Sequence, residues 1–161
     1  MTPAEAPRWL SHEEQLAWRA YLRGSRLLVQ ALDDDLRPTC QLTEYELISM
    51  LSEAPGQRMR MSHLADDIVQ SRSRVTHTAN RLEQRGWVRR ERAKDDGRGV
   101  EITLTDAGRA AIDELAPRHL ASVRQHLVDA LTHEQLMALG DAMAVIRDRL
   151  CPNHHEIGID D

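Results

Sequence analysis

The sequence predicts a mainly α protein carrying one small β-hairpin. Three observations point there. Apolar residues recur at helical spacing through most of the chain, and Ser/Thr-x-x-Glu/Gln signatures mark helix starts. Only between Gly86 and Thr105 does the period change from 3.6 to 2. Composition agrees, because 41% hydrophobic residues against 3% aromatic, with no Phe, implies packing by aliphatic side chains. A chain of 161 residues is long enough for one domain with a sizeable core.

The elements follow in order. "SHEE" at 11–14 is a capping box and opens a first helix. Leu16, Ala20, Leu27 and Ala31, with the row Leu28, Leu32, Leu36, carry its periodicity until Pro38 stops it. "TEYE" at 43–46 reads as a second capping box, opening a shorter helix with Tyr45, Ile48 and Leu51 inward. "APGQ" at 54–57 breaks that helix. Ser62 begins a third, short helix around Leu64, Ala65 and Ile68. Ser71 then caps a fourth, with Val75, Thr78, Ala79 and Leu82 on one face and Gly86 as its left-handed stop. "WVRRER" and "VEITLT" alternate as strands, and "AKDDGRG" between them has the composition of a hairpin turn. Thr105 caps a long helix, expected to kink near Pro117. "THEQ" at 132–135 starts a last helix whose apolar residues Leu136, Leu139, Met143, Ile146 and Leu150 are spaced 3, 4, 3, 4. That is a heptad seam, which calls for a partner helix.

Two short helices joined by a brief turn and followed by a hairpin make a winged helix-turn-helix. The expected organisation is a single domain over 1–161: a winged lobe at 43–104, dimerisation helices at 12–37 and 105–150, and a flexible tail at 151–161.

Charge points to a partner for the lobe. Residues 71–98 hold nine basic and four acidic side chains, a balance of +5 inside a chain whose net charge is −5. A basic island in an acidic chain suits a polyanion. The helix opening at Ser71 buries one face and offers Arg72, Ser73, Arg74, Thr76, His77, Asn80 and Arg81 on the other. A recognition helix enters the major groove N-terminus first, where Arg can chelate guanine and capped amides can hold phosphate. Lys94 and Arg98 at the hairpin tip would reach the flanking minor groove.

Other chemistries find less support. No Ser-His-Asp set, Gly-rich phosphate loop or paired carboxylate in an apolar setting stands out, so an enzyme is not expected and no cofactor is required. His119 and His126 stand two turns apart rather than one, while Cys151, His154 and His155 fall in the tail, so no metal site is expected. Cys40 and Cys151 have no adjacent Lys or His to lower their pKa and are expected as free thiols. With no apolar run of membrane-spanning length and no signal-peptide pattern, the expected location is cytoplasmic.

The run "MSHLADDIVQSRSRVTHTANRLEQRGWVRRERAKDDGRGVEITLTDAGR" resembles the MarR (multiple antibiotic resistance regulator) family of bacterial transcription regulators. The likeness extends from about residue 12 to 150 and is densest over 61–109. It implies a homodimer with interleaved terminal helices bound to pseudo-palindromic operator DNA. It also implies that Arg98 enters the minor groove while Asp96 braces the wing by pairing with a nearby Arg. Members usually sense a small molecule or oxidant where the dimer helices meet the lobe. Trp18, Tyr21 and Arg26 on the first helix are the candidate ligand contacts, suited to a small aromatic acid or phenolate. Packing in the core or dimer interface is the plainer role for the two aromatics. The reading is therefore a homodimeric repressor released by such a ligand. The alternative is a protein–protein adaptor that uses its winged helix for a partner protein.

Overall fold

The computed structural model describes residues 7–93 and 99–151. These form six α-helices and a three-stranded antiparallel sheet: α1 (His12–Leu36), α2 (Leu42–Glu53), β1 (Arg58–Arg60), α3 (Met61–Asp67), α4 (Arg72–Gln84), β2 (Val88–Arg92), β3 (Val100–Leu104), α5 (Asp106–Val123) and α6 (His133–Leu150). The tip of the hairpin, with Lys94, Asp96 and Arg98, lies outside the described residues, as does the tail from 152 onward.

The core gathers the inward faces of the lobe. Leu47, Ile48 and Leu51 of α2 meet Leu64 of α3 and Val75, Ala79 and Leu82 of α4, all fully buried. Ile102 and Leu104 close it from β3, and Ile112 and Leu115 from α5. The sheet order is β1-β3-β2, with Met59 opposite Ile102 and Val88 opposite Leu104. At the upper end of α1, Leu36 is buried and Leu28 and Leu32 are half-buried, whereas Leu16 and Leu27 face outward.

The start of α5 is fixed to the end of the recognition unit. Gly86 takes φ 72°, ending α4 in the left-handed region, and its carbonyl accepts the Thr105 hydroxyl at 2.6 Å. The same hydroxyl oxygen caps α5 by accepting the Gly108 amide at 3.1 Å. Gly108 packs so tightly that a Cβ there would penetrate the Trp87 carbonyl oxygen and lie 2.6 Å from Leu104 Cδ1. Gly108→Ala is accordingly expected to cost roughly 1–3 kcal/mol by overpacking, seen as a lower urea midpoint. A variant as stable as the parent would show that the start of α5 does not press on Trp87 and Leu104.

Three sequence expectations are corrected. The cap of α2 is not the Thr43–Glu46 box: the helix starts two residues earlier, capped at Gln41, whose amide Glu44 accepts at 2.9 Å. The third helix starts at Met61 rather than Ser62. Strand β1 was not expected, being three residues without an alternation to announce it. Beyond these, α5 is helical through Pro117 and runs into a π turn at Arg124–Val128. That turn brings His126 beside Ser122, where both bond the Asp35 carboxylate of α1, at 2.9 and 2.6 Å.

Both cysteines are free thiols, Cys40 buried and Cys151 exposed. Burial pushes the Cys40 thiol up to about 11, reinforced by the nearby Glu44 charge. No described helix is long and apolar enough to cross a membrane.

Candidate nucleic-acid interface

The fourth helix presents its two faces as its sequence dictates. Val75, Thr78, Ala79 and Leu82 are buried; Ser71, Arg72, Ser73, Arg74, Thr76 and His77 are exposed; Asn80 is half-buried. Ser71 caps the helix, its hydroxyl accepting the Arg74 amide at 3.3 Å. The Arg72, Arg74 and His77 side chains have no partner among the described residues. Thr76 differs, donating its hydroxyl to the Arg72 carbonyl at 2.8 Å. The helix start is thus a convex, cationic end with unengaged donors, the geometry a DNA groove receives.

Most of the remaining basic island is engaged within the fold. Arg81 turns back onto Glu44 of α2, Nε to Oε1 at 2.9 Å, and also donates to Gln41 Oε1 at 2.9 Å. Arg85 stands 3.7 Å from the other Glu44 oxygen and donates to the Thr39 carbonyl at 2.6 Å, with its guanidinium over the Trp87 ring. Glu44 is only 1% exposed, so these two arginines neutralise a buried carboxylate and bolt α4 to the α1–α2 junction. Arg90 pairs with Glu83, tying β2 to the end of α4, and this hydrogen bond holds the Glu83 carboxyl below its ordinary range. Arg89 pairs with Glu91. Glu44 is the residue that the sequence reading missed. Its signal was present, an acid on the stripe otherwise formed by Leu47, Ile48 and Leu51.

The candidate ligand residues are not brought together. Trp18 and Tyr21 stack on each other, centroids 6.0 Å apart, on the exposed side of α1. Arg26 opens instead onto a cleft of about 510 Å³ between α1, α2 and the α3–α4 turn, which Trp18 and Tyr21 do not line. The last helix has no buried residue in the single chain: Leu136 and Met143 are half-buried, while Leu139, Ile146 and Leu150 are 39, 47 and 78% exposed. Among the described residues no group of three or more His, Cys, Asp or Glu side chains could hold a metal ion.

A helix pair with a capped, exposed second helix, closed by a three-stranded wing, defines a winged helix-turn-helix DNA-binding regulator. The comparisons make the class specific. The MarR family profile matches residues 41–100. The regulator PecS of Dickeya dadantii is 31% identical over 120 residues, covering 73% of this chain and 72% of that protein. Among solved structures, AbsC of Streptomyces coelicolor, a MarR family transcriptional regulator, is 43% identical with a TM-score of 0.83, covering 89% of this chain and 98% of its own. Sco3205, a second MarR family regulator from that organism and solved in complex with DNA, is 41% identical with a TM-score of 0.86, covering 95% and 97%. The chain belongs to the MarR family: it is a DNA-binding transcriptional regulator, in a family of regulators rather than enzymes.

Proposed function

We propose that the protein acts as a homodimeric, sequence-specific repressor in the cytoplasm, leaving a pseudo-palindromic operator when a small aromatic or phenolic ligand binds. The observation that carries the DNA reading is the state of α4. Its apolar face is consumed by the core while Arg72, Arg74 and His77 at its capped end are left without partners among the described residues. In this reading Ser71, Arg72, Ser73, Arg74, Thr76, His77 and Asn80 meet the major groove and its phosphates. Lys94, Arg98 and the bracing Asp96 keep the roles that the family resemblance implies, in a segment outside the described residues.

The dimer reading is supported by the terminal helices. Leu16, Leu27, Leu139, Ile146 and Leu150 are all exposed on α1 and α6, and large apolar side chains left open along two helices suit an interaction surface. A second copy would cover them, with 12–37 and 105–150 as the dimerisation region beside the 43–104 lobe.

Selection and sequencing of DNA fragments bound by the purified protein tests the proposal. The expected site has two half-sites about one helical turn apart. With roughly 6–10 phosphates neutralised per dimer, affinity should fall about 10³- to 10⁵-fold between about 50 and 200 mM salt. An asymmetric site bound by a monomer, or a salt slope near zero, would overturn it. The latter outcome would favour a protein partner.

A further inference from the structure

The recognition helix carries two hydroxyl residues on its outer face, and the fold treats them differently. Val75, Thr78, Ala79 and Leu82 are buried, so the opposite side of α4 runs along Ser73, Thr76, His77 and Asn80. That strip holds no guanidinium or carboxylate; Arg72 and Arg74 stand on its flanks. The Ser73 hydroxyl has no partner among the described residues. The Thr76 hydroxyl is already engaged. It donates to the Arg72 carbonyl one turn back at 2.8 Å, the i−4 bond that threonine can make within a helix. With its oxygen turned onto the helix, the exposed Thr76 side chain offers its surroundings a methyl group. None of the other three side chains on the strip has one.

Base edges in the major groove differ in methyl groups as well as in hydrogen bonds, and thymine alone of the four bases carries a methyl there. An arginine reads guanine through its donors. A methyl reads thymine by removing water from between two apolar surfaces. We propose that Thr76 is a specificity-determining residue that reads one thymine in each half-site through its methyl, while its hydroxyl serves the helix. The proposal rests on the reading of α4 as the groove helix and deepens it by naming a base. Small side chains along the middle of the strip let base edges come close enough for van der Waals contact. Ser73, with its hydroxyl free, has the complementary part. It can bond a phosphate or a base edge, and it draws no distinction between thymine and uracil.

The test takes the operator selected by the full-length protein and replaces its thymines by deoxyuridine, one symmetric pair at a time. Uracil differs from thymine only by the methyl, so base pairing and the hydrogen-bonding edge are kept. One such pair should weaken binding by about fourfold per half-site, roughly 10- to 20-fold for the dimer, the contribution of one buried methyl. Thr76→Ser keeps the hydroxyl and its bond to the helix. It should bind the thymine operator that much less tightly and lose its sensitivity at that pair. Thr76→Val keeps the methyl without the hydroxyl, and it should bind as the parent does with the full thymine preference. Ser73→Ala should weaken binding to the thymine and deoxyuridine operators alike, leaving their ratio unchanged. Both positions are exposed, so thermal unfolding of the variants should follow that of the parent. A parent protein that binds its operator but is indifferent to every replacement would refute the proposal and leave the DNA reading intact. So would a Thr76→Ser variant with the parent's sensitivity. A Thr76→Val variant that lost operator affinity would make the hydroxyl the reader and refute it as well. If no DNA is selected at all, the regulator reading fails and takes this assignment with it.

Discussion

Leu139→Glu combined with Ile146→Glu is expected to yield a monomer that no longer holds its operator. In the single chain no residue of α6 is fully buried and these two are exposed, so they contribute little to its own core. Their change should leave the α-helical signal of the lobe in place. In a dimer they face a partner, and two unpaired carboxylates in an apolar seam cost more than the seam returns. A monomer engages one half-site, so affinity should drop toward the non-specific level, on the order of 10³-fold or more. Sedimentation reports the mass and operator titration reports the loss. A variant that stayed dimeric with undiminished affinity would place the dimer contact elsewhere.

Arg81→Leu should have the largest effect on stability of any change on the recognition helix. It leaves the Glu44 carboxylate buried with only Arg85 at 3.7 Å and the Gln41 amide at 2.9 Å. Removing one partner of a buried pair typically costs about 3–5 kcal/mol. Arg81 itself is 42% exposed, which discounts the estimate to about 2–3 kcal/mol, or roughly 4–12 °C in Tm. The double change Glu44→Leu with Arg81→Leu should recover part of that loss, because no orphaned charge remains. Salt dependence separates this role from a DNA contact. An arginine on phosphate would lower the slope by about one when removed, whereas a residue that only orients α4 leaves the slope unchanged. Equal stability together with a reduced slope would return Arg81 to the DNA surface.

These two residues also show how far the sequence could be read. The faces of α4 were legible because burial there follows the helical period, and Val75, Thr78, Ala79 and Leu82 are all inward. The wing was legible because Val88, Ile102 and Leu104 obey the period of a half-buried sheet. What arginine does on an exposed face was not legible. Arg74 and Arg81 have the same local signal, yet one has no partner among the described residues while the other is spent on a carboxylate 37 positions away in the chain. Charge pattern carries no information about such partners. The same limit applies to Thr43 and Glu44. Thr43–Glu46 has the capping signature, yet the box forms between Gln41 and Glu44, against which Arg81 and Arg85 stand from another helix. Strand β1 is set entirely by its pairing with β3, since Arg58–Arg60 has no pattern of its own. The π turn is marked by contacts from Asp35, again from a different element.

The two cysteines give the protein an internal clock. Cys151 lies open at the end of α6 and meets a thiol reagent at once. Cys40 is 2% exposed, with a thiol that burial pushes up to about 11, so it is inert while the fold is closed. It sits between Thr39 and Gln41, the two residues through which Arg85 and Arg81 grip the α1–α2 junction. Alkylation of Cys40 therefore requires that this junction open. The slow phase of a thiol-labelling trace measures how often it does, in unmodified protein, and operator or ligand that steadies the junction lengthens that phase.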